Sequence, residues 1–487
     1  MTRALPVLSC ALVVLVAGAA FLGGGALPAA DVASRDAAAL PSGAHPGGAY
    51  VCPPGGAPQP AGGICARAFA GASDLLVEPD LAVSPLDPQV MAFAANDGQT
   101  VRAIDPLRSG KMELRTQTLA LFTTTDGGAT WDARDLPPPP PPPAPQDGVL
   151  LADTQLWDPT IAFGADGALQ VGGVLVWQGA DGSAKQKRVF HLESGDLGAS
   201  WSDWHLFGRK VDRPWMAVES GGAIDLVWWE TADTTLGFAR SVDGGATWSP
   251  LAPDAPPVHC DFPSPPVEHG GGIVVACARD ERFLVDDATP PRGLYRYDAE
   301  ANRFDLAGPI PAMSIPMVLA PEDGSLVIVA GVWNVSDILM LRSLDGGATW
   351  TSLPDLGARL ENAAGWWFLQ SMGAKLDPWG HIHLFVRGVA AGPHQDLGPA
   401  GPFVDLPVFL AAANADEFAV AHVVLDPATG DVLSEQLMTP AVPHAPTGSP
   451  SIGPGRAGDY YGIGFAEDHA VLVWEYQRSL FLTHWMR

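Results

Sequence analysis

Positive charge is what this sequence has least of. Lys and Arg number 27 against 54 Asp and Glu, a formal net charge of −27. So acidic a chain repels phosphate backbones and anionic headgroups, which argues against nucleic acid or an anionic membrane surface as partner. Charge of either sign is sparse, at 17% of residues. After the first forty residues no segment carries the 3.6-residue apolar period of an amphipathic helix. What is abundant is apolar content (47%), glycine (55) and proline (47). That mixture fits many short strands joined by turns. Cysteine is scarce, with five in the chain. Cys52 and Cys65 close the loop "CPPGGAPQPAGGIC", and Cys260 and Cys277 flank an apparent hairpin. Two local disulfides in an oxidising compartment are expected, the alternative being four buried thiols.

The first thirty residues, "MTRALPVLSCALVVLVAGAAFLGGGALPAA", run from one Arg through an apolar stretch to small residues, the pattern of a secretory signal. An uncleaved anchor is the alternative, and it would be the chain's sole link to a membrane. Cys10 after "VLS" has almost no apolar region before it, a poor lipoprotein signal. Residues 31–70 form a Pro/Gly/Ala-rich leader containing the first Cys pair. The protein is therefore expected to be secreted, periplasmic or on the cell surface, and monomeric.

From residue 71 to 487 the chain repeats itself. "TTDGGATWDA", "SGDLGASWSD", "SVDGGATWSP" and "SLDGGATWTS" share an Asp, glycines for a tight turn, and a Trp to pin that turn to a core. A second pattern, a short apolar strand, a turn and a richer apolar strand, begins at Glu78, Trp157, Asp212, Cys260, Ser314, Leu369 and Gly458. The middle units recur every ~50 residues, the length of a four-stranded propeller blade. The expectation is an all-β fold: one β-propeller of four-stranded blades, with seven favoured and six the alternative. In the fourth and sixth units the turn decays to "YDAEANRF" and "LDPATGDV". The prolines of 137–145 form an extended polyproline insertion acting as a spacer. The last unit has room for three strands, so its fourth is expected from residues 65 to 77, closing the ring.

The four turns resemble the Asp box, or BNR repeat, of sialidases and related propellers. The resemblance implies that Asp126, Asp196, Asp243 and Asp345 hydrogen-bond turn amides while Trp131, Trp201, Trp248 and Trp350 pack between blades. It also implies that chemistry gathers at the opposite end of the ring, where first strands start and second strands end. The starts read as Glu78, Asp158, Asp212, Asp261, Ser314, Gln370 and Asp459; the second-strand ends add Asp97, Glu230, Arg279, Asp280, Arg387, Glu475 and Arg478.

Two functions follow. A sialidase-type hydrolase would take Arg279, Arg387 and Arg478 to grip a sugar carboxylate and Asp158 as acid. Tyr460 or Tyr461 would be its nucleophile, with Glu230 or Glu475 as base. "GDYYGIGFA" resembles the last-blade tyrosine region of that family, but the first blade has "EPDLAV" and no Arg; the nearest analogue, "DRPWMAV" with Arg213, lies two blades later. The second function, favoured here, is a propeller that binds a glycan or an extracellular protein on the same face, with Trp157, Trp215 and Trp366 as stacking surfaces. No organic cofactor is implied, and a Ca²⁺ ion would suit the carboxylates. His381 and His383 share a strand face but lack a third ligand at metal spacing. "NVS" at Asn334 is a glycosylation acceptor in a host that uses it.

Overall fold

A computed structural model describes residues 49–52, 57–58, 64–69, 71, 75–101, 113–143, 151–179, 185–278, 292–311, 313–332, 337–354, 356–357, 366–390, 418–438, 461–476 and 479–486. The signal or anchor segment, Asn334, Arg279, Asp280, Asp459, Tyr460 and Arg478 lie outside them. Among the described residues no helix is long and apolar enough to cross a membrane.

Seven antiparallel sheets follow one another along the chain as the seven blades of a propeller. Their inner strands are Leu75–Val83, Leu151–Phe163, Val211–Val218, Phe262–Pro263 with Val267–His269, Ser314–Leu319, Trp366–Leu376 and Gly462–Phe465. In blade four the inner strand is split by Ser264, Pro265 and Pro266, and Pro has no N–H to pair. Ser264 bridges the gap: its amide bonds Ala276 O at 2.9 Å and its hydroxyl accepts from Ala276 N at 2.9 Å.

The ring closes on blade seven. Its outer strand has two collinear pieces, Ala49–Val51 against His484–Met486 and Cys65–Phe69, whose residues 67–69 pair with Leu480–Leu482. The Cys52–Cys65 disulfide joins the two pieces, and Ala57–Pro58 pairs with Cys65 and Ala66 on their outer side. Part of the 31–70 leader is thus built into the propeller, while residues 75–77 belong to the inner strand of blade one. The seam is tight. A Cβ on Gly462 would stand 3.0 Å from Leu81 Cβ, so glycine is what lets these inner strands meet. The second disulfide ties Cys260, just ahead of the inner strand of blade four, to Cys277 on the neighbouring strand.

The repeated turns join third to fourth strands and share one hydrogen-bond scheme. In blade three, Asp243 Oδ1 accepts from Thr247 N at 2.8 Å and Ser241 Oγ at 2.8 Å, and Asp243 Oδ2 from Thr247 Oγ1 at 2.6 Å. Asp126, Asp196 and Asp345 repeat it in blades one, two and five. Donors from Thr130 and Thr349 hold the Asp126 and Asp345 carboxyls down at about 2. The tryptophans reach towards the preceding blade: Trp131 packs edge-on to Phe69 of blade seven, and Trp248 to His191 and Phe207 of blade two. Trp201 Nε1 bonds Asp135 O at 3.1 Å. The decayed turns keep an Asp cap, since Asp298 and Asp426 each accept two amides. Residues 137–143 form no strand; Pro137 and Pro140 are half-buried, while the prolines at 138–139 and 141–143 are exposed. That is the three-residue period of a polyproline helix with one edge down, and Trp177 Nε1 donates to Pro140 O at 3.2 Å.

Candidate functional site at the channel mouth

In an antiparallel blade the first-to-second and third-to-fourth connections share one rim of the ring, and all others share the opposite rim, the mouth. The sequence places strand starts at Glu78 and Asp158. The inner strands in fact begin upstream, at Leu75 and Leu151, and run through these residues. Register slips by one between Val77 and Asp80, Trp157 and Thr160, Asp212 and Trp215, and Ser314 and Met317. In each slip a residue of positive φ precedes a proline: Glu78 (56°), Asp158 (49°), Arg213 (50°) and Ile315 (45°). Proline at a bulge loses no ladder bond, so an X-Pro pair read as a strand start is a mid-strand bulge. Such strain is tolerated where neighbours hold it.

Here the neighbour is Asn96. Its Nδ2 donates to Glu78 Oε2 at 2.5 Å, and its Oδ1 accepts from Asp158 N at 2.9 Å. One buried amide thus fixes the bulges of blades one and two. Lys187 Nζ pairs with Asp212 Oδ1 at 2.9 Å and stands 4.9 Å from the centre of the Trp157 ring. The Arg213 guanidinium lies 4.9 Å over Phe262. Lost hydration, then the charge of Asp212, pushes the Asp158 carboxyl up to about 6 against the pull of Lys187 and Arg213.

A second group joins blades six and seven. Arg387, Tyr461 and Glu475 are all nearly buried. Arg387 donates to the Tyr461 hydroxyl, whose pKa is pushed well up by burial, with the Glu475 charge adding to the rise. Glu230 is engaged elsewhere, accepting Trp228 Nε1 at 2.8 Å and Arg209 N at 3.1 Å. The described candidates therefore form two groups, Asp158 with Arg213 and Arg387 with Tyr461 and Glu475, while Glu230 braces the loop before blade three. Trp215 faces the channel, Trp157 is covered by Lys187, and the Trp366 side chain lies outside the described residues.

Inside the ring is a cavity of about 390 Å³ lined by inner strands of all seven blades. Its polar groups are mostly spent on the ring. Asp80 Oδ2 accepts Ile161 N at 2.9 Å, Thr160 Oγ1 accepts Met216 N at 3.0 Å, and Lys375 Nζ donates to Leu81 O at 3.2 Å. His383 and His422 lie in the sheet of blade six, not at the mouth: His383 bonds Asp377 Oδ2 at 3.1 Å and His422 Nε2 at 3.0 Å. Among the described residues no group of three or more His, Cys, Asp or Glu could hold a metal ion.

Sequence reasoning missed Asn96 and Lys187 as site residues. Asn96 had a signal, the recurring X-Pro pairs, which ask for a neighbour able to hold two bulges; Lys187 sits mid-strand with none. No family model and no curated protein matches the sequence. Solved structures similar in fold include the intramolecular trans-sialidase from Ruminococcus gnavus, 11% identical, with 87% of this chain and 97% of that one covered at a TM-score of 0.43. The leech intramolecular trans-sialidase is 12% identical, covering 84% of this chain and 67% of that one at 0.42. A protein of unknown function from Dyadobacter fermentans is 13% identical, covering 85% and 95% at 0.42.

Proposed function

We propose that this protein binds a glycan at the channel mouth, outside the cytoplasm, without turning it over. The observation that carries the reading is the set of side chains around Asp158. Carboxylates, an amide, an ammonium and a guanidinium surround a backbone locked by Asn96. Such fixed donors and acceptors recognise sugar hydroxyls, and they stand beside an apolar channel. Two observations weigh against hydrolysis. Tyr461 is held as a phenol, since burial raises its pKa, and a phenol is a weak nucleophile. Glu230 is committed to Arg209 and Trp228.

The hydrolase reading rests on one observation. With a carboxyl at about 6, Asp158 keeps its proton in mild acid, as a general acid requires. Two assays on the full chain separate the readings: binding to a glycan panel, and release of fluorophore from an α-sialoside at pH 5 to 7. Binding that weakens at least tenfold in Asp158→Asn, with no fluorophore released, is the expected result. Turnover that disappears in Tyr461→Phe would replace the binding reading with the enzyme.

A further inference from the structure

We infer that the ring's channel is an acceptor for an alkyl chain, so that the ligand is a glycoconjugate with an aliphatic aglycone. The inference rests on the mouth reading for the sugar, but its own observations lie below the mouth. The cavity of about 390 Å³ falls in the size range of small-molecule sites. Its walls are largely apolar, with Met216, Val267, Met317, Ala374 and Ile463 contributed by five blades. The polar groups that line it are mostly engaged: Asp80 and Thr160 by amides of the next blade, Lys375 by Leu81 O at 3.2 Å and Asp80 Oδ1 at 3.6 Å, and Glu268 by Ser220 N at 2.7 Å and Ser220 Oγ at 2.8 Å. Water there would find few partners, and an apolar cavity poorly served by hydrogen bonds favours an apolar guest.

Tyr461 sets the position of the two parts. It lines the cavity and also belongs to the Arg387 and Glu475 group. A ligand with its sugar among the mouth's polar groups would extend its aglycone past Tyr461 into the ring. A flexible chain fits a space walled by seven strands better than a second sugar would, because most hydroxyls of that sugar would be left without a partner.

The test uses 1-butanol, 1-hexanol and 1-octanol on the full chain, with ¹³C-methyl methionine spectra as readout. In the expected result the Met216 and Met317 signals shift, and affinity rises roughly three- to fourfold per methylene. Ala217→Phe and Ala320→Phe each fill part of the channel, and either one, folded by its thermal transition, should abolish the shifts. Affinity independent of chain length, or shifts that survive both variants, would overturn the inference. The alcohols carry no sugar, so the two readings fail separately. Alcohol binding without any glycan bound leaves the channel site and removes the glycan reading, whereas glycan binding without alcohol binding does the reverse.

Discussion

On one rim of the ring, connections are as short as residues 270–271 and no longer than 195–204. There, carboxylates are spent on backbone amides and tryptophans on the neighbouring blade. On the mouth rim the connections include 102–112, 279–292 and 391–417, and carboxylates face one another and nearby cations. The same residue type does opposite work on the two rims, and pKa registers the difference. Asp126 is held down to about 2 by donors within its own turn, while Asp158 is pushed up to about 6 by lost hydration and a neighbouring carboxylate. A carboxylate ringed by its own donors has little left to offer a ligand; one crowded against other charges does.

The comparison breaks if turn-rim substitutions alter binding or mouth substitutions unfold the ring. Trp131→Ala should have the largest effect on stability. The ring lies against Phe69 and Phe93 at the closing seam, and its removal should cost about 3 kcal/mol in urea unfolding with glycan affinity unchanged. Replacing Cys52 and Cys65 by Ala should come close behind, at about 3 kcal/mol, because the bond joins the two pieces of the closing strand.

Acid gives a third test. His191 lies against Trp248 of the next blade's turn, and burial lowers its pKa to about 3. The unfolded chain then binds the proton more readily than the folded one. Its contribution is complete above the ordinary histidine value near 6.5 and is lost as pH falls towards 3. Removing that titration in His191→Gln should flatten the acid limb of the stability curve by about 1.4 kcal/mol per pH unit below 6.5. Asp158 has the opposite sign: with its pKa raised, its contribution is present below the ordinary carboxylate value near 4 and fades as pH rises through about 6. Asp158→Asn, which keeps the shape and removes the titration, should leave stability at pH 4 within about 1 kcal/mol and abolish the loss of about 1.4 kcal/mol per pH unit between pH 4 and 6. Unfolding midpoints across pH 4 to 8 separate the two variants.

Much of this was legible in the sequence. Seven strand-turn-strand units, the Asp turns and a closing strand from the N-terminal side follow from period, glycine placement and the need to bury sheet edges. Other features were not legible. Proline forbids only an amide bond, so Glu78-Pro79 and Asp158-Pro159 read equally well as strand starts and as bulges. The split closing strand depends on residues 49–51 and 65–69 lining up on one partner, a pairing that no local pattern encodes. Asn96 and Lys187 act through partners from 18 to 62 residues away. Asp158 was found because a carboxylate beside a repeated strand is conspicuous; the groups that set its chemistry are recognisable only in three dimensions.

The division of labour between the rims is tested most directly by measuring two quantities in two variants. Glycan affinity and unfolding free energy are determined for Asp158→Asn at the mouth and for Trp248→Ala at the turns. The account predicts a crossed result: Asp158→Asn loses at least tenfold in affinity with no loss of stability, and Trp248→Ala loses about 2 kcal/mol or more of stability while binding as the unaltered protein does. A folded Trp248→Ala protein that binds as weakly as Asp158→Asn would contradict it.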